Sequence, residues 1–359
     1  MSDTIIIGMS GGVDSAVAAS ILVENGYNVE AIFMKNWDEE DEEFCTAAQD
    51  YKDALQVCET LDIPLRSIDL TDEYWDKVFK IFLEECEIGR TPNPDIICNK
   101  EIKFRAFLDY SLELGAKKIA TGHYAQIKTH DNIFQLLRGK DTNKDQSYFL
   151  YRLDQYQVSK SIFPIGDLNK EYVRKKANDL GFLNHNKKDS TGICFIGERN
   201  YSNFLKKYFD TQPGDIVSDK GDIIGQHEGL MYYTYGQRQG LGIGGGFGNQ
   251  EAPWYVSDKI ISENRLTVVQ GHEHPALYHS FLTASNINWI SGSPPTNDNN
   301  MTAKIRYRSK DTPCIITKQS NNILVKFTTP QFAVAPGQSI VFYNNDICIG
   351  GGIIESRSN

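Results

Sequence analysis

The start of the chain limits its fold most, because a glycine-rich turn separates an apolar strand from a helix. Residues 4–8 (T-I-I-I-G) predict a short buried strand, and residues 10–15 (S-G-G-V-D-S) predict a turn. Residues 16–25 have helical composition and stop at Gly26. The alternation continues with strands at 29–34 and 65–70 and a helix at 46–61. This alternation predicts an α/β fold with a parallel sheet covered by helices on both faces.

The texture of the sequence changes further along the chain. Helices are predicted at 103–114 and 170–181, and a strand at 118–121 leads into Gly122. From about Gly214, short runs of β-branched and aromatic residues between Gly, Asn, Asp and Pro predict β-rich structure to the end. A length of 359 residues suits two or three domains. We expect three, at 1–210, 211–276 and 277–359.

Composition and charge exclude several classes of protein. No stretch approaches the roughly 20 apolar residues that cross a bilayer, so we expect a cytoplasmic protein with no membrane partner. Seven cysteines, an odd number scattered through a long chain, do not predict a disulfide framework. The net charge is −10, but the first 100 residues hold 22 acidic and 7 basic side chains. The remainder is therefore net positive, which leaves a polyanionic partner open.

The glycine-rich turn predicts a phosphate site. It consists of Gly8, Met9, Ser10, Gly11, Gly12, Val13, Asp14 and Ser15. A helix N-terminus offers unpaired N–H groups to an anion, glycines allow close backbone approach, and serine hydroxyls add donors. Asp14 is unusual beside phosphate unless it orients N–H groups or takes part in binding Mg²⁺. The alternative is a plain turn capped by Asp14 or Ser15.

The turn is not the P-loop of kinases, because no Gly-Lys-Ser/Thr follows it. It resembles the S-G-G-x-D-S loop of the ATP pyrophosphatases. Those enzymes cleave ATP between the α and β phosphates and place AMP on an oxygen. The resemblance of this loop implies an activation chemistry and leaves the acceptor open.

Two cysteines and one carboxylate are further candidates. Two prolines precede Asp95 and Cys98 in T-P-N-P-D-I-I-C at 91–98, so the backbone there is restrained. If the turn continues as a helix, the spacing of three puts carboxylate and thiol on one face, near enough for proton transfer. Cys194 lies in an apolar run bracketed by glycines. Either cysteine could instead be a core residue, Asp95 could be a helix cap, and no ligand spacing favours a structural zinc site.

Taken together, these segments resemble the bacterial tRNA-specific 2-thiouridylases over nearly the whole chain. The matching motifs are G-M-S-G-G-V-D-S at 8–15, F-M-K-N-W at 33–37, T-P-N-P-D-I-x-C-N-K-E-I-K-F at 91–104, T-G-H-Y-A at 121–125, K-D-Q-S-Y-F-L at 144–150, G-I-C-F-I-G-E-R at 193–199, Y-T-x-G-Q-R-x-G-L-G-I-G at 233–244 and I-R-Y-R at 305–308. The resemblance implies a nucleotide-binding PP-loop α/β domain, a small central domain and a C-terminal β-barrel. It implies adenylation of the C2 oxygen of the wobble uridine (U34) of tRNA and its replacement by sulfur.

The same resemblance implies roles for individual residues. ATP, with Mg²⁺, would be held by residues 8–15 together with Met34 and Gly122. Cys194 would carry a persulfide sulfur received from a sulfur-relay protein, Cys98 would close a disulfide with Cys194, and Asp95 would move a proton. The residues that would contact the target base or other parts of the tRNA are Asn93, Pro94, Asp95, His123, Lys144, Asp145, Gln146, Arg306, Tyr307 and Gln338.

The pattern alone leaves several alternatives open. Arg306, Arg308 and Lys310 alternate with other residues, which predicts a strand whose cationic face meets either phosphate or solvent. Another ATP pyrophosphatase would attack its adenylated acceptor with an amine and would need neither cysteine. A tRNA-binding protein that only senses ATP would release no pyrophosphate.

Overall fold

The first part of the chain contains a parallel five-stranded sheet in a computed structural model, which describes residues 3–37, 47–189, 201–243, 252–295 and 300–359. The strands up to residue 162 are β1 (Thr4–Met9), β2 (Asn28–Lys35), β3 (Leu65–Asp69), β4 (Lys118–Ala120), β5 (Ala125–His130), β6 (Ile133–Arg138) and β7 (Ser161–Ile162). The sheet order is β3-β2-β1-β4-β7, with every pairing parallel. All of β1 beyond Thr4 is buried, as expected for the central strand of a covered parallel sheet.

Helices connect these strands and confirm the predicted α/β fold. They are α1 (Val13–Glu24), α2 (Ala47–Leu61), α3 (Thr71–Tyr74), α4 (Lys80–Glu87), α5 (Pro94–Cys98), α6 (Phe107–Glu113), α7 (Gln155–Ser159), α8 (Lys170–Asp179) and α9 (Tyr201–Leu205). A π-helical turn joins α3 to α4, and a second one, Asn99–Ala106, joins α5 to α6. The helix predicted at 103–114 therefore begins earlier, at Pro94. Within the described ranges, no helix is both long and apolar enough to cross a membrane.

A four-stranded sheet forms the middle of the chain. Its strands are β8 (Gly214–Ser218), β9 (Ile223–His227), β10 (Trp254–Ile260) and β11 (Arg265–Gln270), in the order β10-β11-β8-β9. Val256 and Leu266 of this sheet share one apolar cluster with Phe79 and Phe82 from the first part of the chain. The two parts are therefore packed together by a common core.

The last part of the chain confirms the predicted β-rich structure and closes into a barrel. Its strands are β12 (Tyr278–Trp289), β13 (Met301–Lys304), β14 (Thr312–Gln319), β15 (Asn322–Phe332), β16 (Ser339–Asn344) and β17 (Ile347–Ser358). The order β12-β15-β14-β13-β16-β17, with β17 pairing back to β12, makes a closed six-stranded barrel. Closure leaves these strands without a free edge within the barrel.

The hairpin β5–β6 was not predicted, and it links the first part of the chain to the barrel. Asp131 and Asn132 have φ of 48° and 62°, the positive values that suit a two-residue hairpin turn. Strand β6 extends the barrel sheet, because Leu137 pairs with Ile347 and Leu136 pairs with Cys348. Backbone hydrogen bonds as well as side-chain packing therefore attach the barrel to the first domain.

Candidate active site

The glycine-rich loop lies where β1 ends and α1 begins, as predicted. Gly12 is the N-cap of α1 with an extended backbone, and among the described residues no side chain caps this helix. The hydroxyl of Ser15 donates to the Gly12 carbonyl at 3.1 Å, and Ser15 Oγ accepts from the Ser10 N–H at 3.3 Å. The loop is thereby closed on itself, and the first-turn N–H groups of α1 remain available to an anion.

Gly11 permits a close contact that a larger residue would prevent. Its φ is +72°, and a Cβ atom there would lie 2.3 Å from the Asp50 carbonyl oxygen of α2. The Gly11 carbonyl accepts hydrogen bonds from Asn184 Nδ2 at 3.0 Å and from Lys187 Nζ at 3.3 Å. Lys187 also pairs with Asp50 and Asp53. The loop is therefore held from α2 and from the segment after α8.

The structure brings together the three segments predicted to hold ATP. A Cβ atom on Gly8 would lie 3.0 Å from Met34 Cε, so β2 presents Met34 against the start of the loop. A Cβ atom on Gly122 would lie 2.7 Å from Ser15 N, so the turn after β4 reaches the first turn of α1. Glycine is needed at 122, where the neighbouring atoms are backbone, whereas at Gly8 the neighbour is the end of a flexible side chain. The binding of ATP itself by these residues stays a prediction.

Asp14 is neutralised by Lys170, a residue that no sequence pattern singled out. Its carboxylate accepts from Lys170 Nζ at 2.7 and 2.8 Å and from the Tyr124 hydroxyl at 2.8 Å. Lys170 begins α8, is largely buried, and also pairs with Asp189 at 2.6 Å. The only signal for these partners was the position of Tyr124 inside the motif at 121–125. Lys170 carried no local pattern of its own.

Asp189 gathers three cations close to the loop. Besides Lys170, it contacts Lys144 at 2.6 Å and Arg174 at 2.8 Å. Burial alone would raise the pKa of Asp189, but the hydrogen bonds from Lys144 and Lys170 outweigh it and lower the pKa. Gln146 Oε1 accepts from the Tyr124 N–H at 3.0 Å. Two of the residues predicted to contact tRNA, Lys144 and Gln146, therefore lie beside the nucleotide loop.

Two other residues predicted to contact tRNA are buried in this conformation. A 2.8 Å hydrogen bond joins His123 Nδ1 to the Thr121 hydroxyl, and the imidazole ring packs near the rings of Phe104 and Phe163. Burial lowers the pKa of His123 well below its usual value, so the ring is neutral. Asp145 is 4% exposed and accepts backbone N–H groups of the chain itself. Their contacts with tRNA stay predictions.

Helix α5 carries the predicted acid and thiol on consecutive turns. Asn93 is its N-cap and Pro94 its first residue, so Asp95 and Cys98 share one short helix, as expected from their spacing. Cys98 is 1% exposed, and burial raises the pKa of its thiol to about 11, with Lys103 opposing and Asp95 adding to the rise. In this conformation the thiol is protonated at neutral pH. Cys194 lies outside the described residues, so its pairing with Cys98 stays a prediction.

The predicted strand through Arg306, Arg308 and Lys310 is wrong. Strand β13 ends at Lys304, and residues 305–309 form a turn closed by the Ser309 hydroxyl, which donates to the Arg306 carbonyl at 2.8 Å. The Arg306 guanidinium points inward and donates to the carbonyls of Tyr235 and Ala333 at 2.9 and 2.8 Å. The alternating cations therefore do not share one exposed face.

The other two candidates near the barrel have partners within the chain. The Tyr307 ring lies 4.6 Å from the ring of Phe149, measured between centroids. Gln338 Nε2 donates to the Thr91 carbonyl at 2.7 Å, close to α5. The structure thus brings Gln338 to the segment that leads into Asn93 and Asp95, while its contact with tRNA stays a prediction.

A parallel sheet with an anion loop between its first strand and first helix defines a nucleotide-binding α/β protein of the PP-loop class. Comparison with known families divides the chain into three matching regions. Residues 3–198 match the tRNA methyl transferase HUP domain, residues 202–270 the tRNA methyl transferase PRC-barrel domain, and residues 279–354 the aminomethyltransferase beta-barrel domain.

Full-length relatives give the family. The tRNA-specific 2-thiouridylase MnmA of Hydrogenovibrio crunogenus is 54% identical over 98% of this chain and 94% of its own length. The protein of the same name from Nitrosomonas europaea is 55% identical over 98% and 97%. The one from Escherichia coli O1:K1 / APEC is 54% identical over 99% of both chains. The chain therefore belongs to the tRNA-specific 2-thiouridylases, a family of tRNA-modifying sulfurtransferases.

Proposed function

We propose that this enzyme uses ATP to adenylate the C2 oxygen of the wobble uridine in tRNA and replaces that oxygen with sulfur. The observation that carries the proposal is the N-terminus of α1, which no described side chain caps, in a loop whose Gly8 lies against Met34 and whose Asp14 and Ser15 lie against Gly122. Met34 also packs against the apolar cluster that contains Cys98. The phosphate site and the thiol therefore lie on neighbouring elements of one domain.

The first step is transfer of AMP. The uridine C2 oxygen attacks the α phosphorus of ATP, the bond to the β-phosphate oxygen breaks, and pyrophosphate leaves. The N–H groups at the start of α1 and the hydroxyls of Ser10 and Ser15 would stabilise the departing pyrophosphate. Adenylation is needed because a carbonyl oxygen leaves poorly, whereas the same oxygen leaves readily as part of AMP.

Mg²⁺ would accompany ATP, and the described residues suit an ion held mainly by phosphate oxygens. Within the described ranges, no group of three His, Cys, Asp or Glu side chains converges as a metal site. Mg²⁺ commonly keeps water ligands and uses one or two carboxylates together with substrate phosphates. Asp14 is the carboxylate nearest the start of α1 and would be the ligand, while Lys170 orients it.

The second step is sulfur transfer. The terminal sulfur of a persulfide on Cys194 attacks C2, and AMP departs with the former uridine oxygen. The Cys98 thiolate then attacks the Sγ atom of Cys194, which breaks the S–S bond, releases 2-thiouridine and leaves a Cys98–Cys194 disulfide. A dithiol reductant reopens that disulfide, and a persulfide-carrying protein reloads Cys194. Release of free hydrosulfide, which would attack C2 itself, is the alternative form of this step.

The buried state of Cys98 requires a movement during the cycle. A thiol with a pKa of about 11 is a poor nucleophile at neutral pH, because the thiolate is the reactive form. The target base must also leave its stack to reach the site. Entry of the base beside Asp95 would open the apolar cover over the Cys98 thiol, and the Asp95 carboxylate on the same short helix could then receive the thiol proton.

The test measures products and thiol dependence together. With tRNA, ATP and a persulfide donor, the wild type should form 2-thiouridine, AMP and pyrophosphate in equal amounts, measured by nucleoside mass spectrometry and nucleotide chromatography. Cys194→Ser should accept no sulfane sulfur. Cys98→Ser should accept it and then stop before completing transfer.

Other outcomes favour the rival functions. If both serine variants retain full activity, the adenylated base is attacked by another nucleophile, as in the amine-using pyrophosphatases. If tRNA binds but no pyrophosphate forms, the loop only senses ATP.

A further inference from the structure

Three domains meet at the four residues before Asn93, Gly89–Pro92, which we call the junction segment. From the central sheet, the buried Lys259 amine donates to the Gly89 carbonyl at 2.9 Å. The hydroxyls of Thr234 and Thr91 lie 3.1 Å apart. The central domain thus bonds to both the beginning and the middle of the segment.

The barrel holds the same segment from the other side. Thr91 N donates to the Pro336 carbonyl at 2.9 Å, and the Thr91 carbonyl accepts from Gln338 Nε2 at 2.7 Å. Between these two partners, Gly337 has a φ of +92°, and a Cβ atom there would lie 2.9 Å from Thr91 N. The barrel approaches so closely that its turn needs glycine at this position.

Arg90 adds a charged link between the barrel and α4. Its guanidinium contacts Glu85 at 2.5 Å and Glu355 of β17 at 2.6 Å, and it donates to the Ile354 carbonyl at 3.3 Å. The Arg90 side chain is 18% exposed. Charge-assisted hydrogen bonds of this kind are roughly twice as strong as neutral ones. The planar guanidinium of Arg90 fixes both the direction and the distance of its carboxylate partners.

The backbone between Arg90 and Asp95 is short and conformationally restricted. Pro92 and Pro94 each have a restricted φ, and Asn93 between them is the N-cap of α5. A displacement of the Thr91 backbone would therefore also displace Asp95. Pro92 of this segment also lines a cleft of about 410 Å³, together with Asn93, Arg152 and Gly337.

We propose that Arg90 and Gln338 are positioning residues through which the barrel sets the place of Asp95 and the target base. The inference rests on the proposed function, because it assigns Asp95 to the reacting uridine. In this arrangement Gln338 acts through the Thr91 carbonyl. A barrel that is bound to tRNA thereby holds the Asp95 carboxylate at its position beside the target uridine.

The experiment compares Arg90→Met, Arg90→Lys and Gln338→Glu with the wild type in thiolation of tRNA. We expect kcat to fall about 10- to 100-fold in Arg90→Met, the range that a misplacement near 1 Å produces. The dissociation constant of tRNA, from filter binding, should stay at the wild-type value. Arg90→Lys should recover part of kcat, since an ammonium keeps one of the two ion pairs. Gln338→Glu, which loses the donor to Thr91, should lower kcat as well, beyond any change in tRNA affinity that follows from the predicted tRNA contact of Gln338.

Controls separate this role from simple loss of structure. Arg66→Met removes an exposed ion pair with Glu30 at the sheet edge and should leave kcat unchanged. Glu355→Gln removes charge from the barrel side only, and it carries the same test if Arg90→Met does not fold.

Unchanged kcat in Arg90→Met, or a weaker tRNA affinity with unchanged kcat, overturns the inference. A loss of kcat that lysine does not lessen overturns it too. A wild type that forms no 2-thiouridine contradicts the proposed function itself, whereas an active wild type with equally active variants contradicts only this inference.

Discussion

The buried thiol of Cys98 leads to a quantitative expectation for its reactivity. Burial raises its pKa from 9.0 to about 11. The thiolate is the reactive form, and two pKa units correspond to about a hundredfold less thiolate at a pH well below both values. Alkylation of Cys98 near pH 8 should therefore be about a hundredfold slower than that of an ordinary thiol, before steric exclusion slows it further.

The assay is alkylation with iodoacetamide followed by peptide mass mapping. In the folded protein, the rate for the Cys98 peptide should rise tenfold per pH unit up to about pH 10, because the thiol stays mostly protonated until its pKa is reached. In urea-unfolded protein, the same rate should level off near the ordinary thiol pKa of 9.0. Cys58 is a matched internal control, since burial also raises its pKa to about 11 and no role in the reaction is proposed for it.

Substrates should change the alkylation rates of Cys98 and Cys58 differently. If Cys98 is the resolving thiol, tRNA with a non-hydrolysable ATP analogue should accelerate its alkylation and leave that of Cys58 unchanged. Alkylation of Cys98 in the free protein at the unfolded rate would show that burial does not suppress its thiolate. Equal protection of both cysteines with and without substrates would instead refute the movement that the proposed mechanism requires.

Two further substitutions test the loop and the barrel. Lys170→Met should lower the rate of AMP release about 100-fold, because Asp14 and Asp189 lose a shared cation beside the proposed phosphate site. Lys176→Met, which also removes a lysine of α8 but whose partner is Glu24 at the end of α1, should not. Arg306→Ala should lower the free energy of unfolding by about 1–3 kcal/mol, because the carbonyls of Tyr235 and Ala333 lose their donor. Urea denaturation measures it, and an unchanged midpoint would contradict the structural role.

Local patterns predicted the parts of the site that depend on neighbouring residues. The loop at 8–15 follows from glycines and hydroxyls between a buried strand and a helix. The prolines at 92 and 94 predict a restrained turn before Asp95, but they do not decide whether that turn continues as a helix. Lys170 could not be found in this way. It is 156 residues from Asp14, and a lysine at the first turn of a helix is ordinary until the fold places it beside two carboxylates.

The incorrect prediction of a strand through Arg306 shows that a local pattern can also predict the wrong secondary structure. Alternation of charged residues is a signal of period two, but a turn of five residues can carry the same letters. The conformation of Arg306 depends on residues that are distant in the sequence. The carbonyls of Tyr235 and Ala333 accept hydrogen bonds from its guanidinium and hold the side chain inward. The hairpin at β5–β6 was missed for a related reason, because its last strand is completed by β17 far along the chain.

The acidic net charge of the chain does not oppose a polyanionic substrate, because the local balance at the site is different. Around the mouth of the loop, two carboxylates, Asp14 and Asp189, are matched by three cations, Lys144, Lys170 and Arg174. This cluster carries one positive charge in excess, and Lys187 with Asp50 and Asp53 on the α2 side of the loop offsets it, so the charges around the loop balance instead of being strongly acidic. Charges within a few ångströms and partly shielded from water act more strongly than exposed charges beyond a Debye length of about 8 Å. This local balance, rather than the total of −10, therefore governs the approach of both substrates.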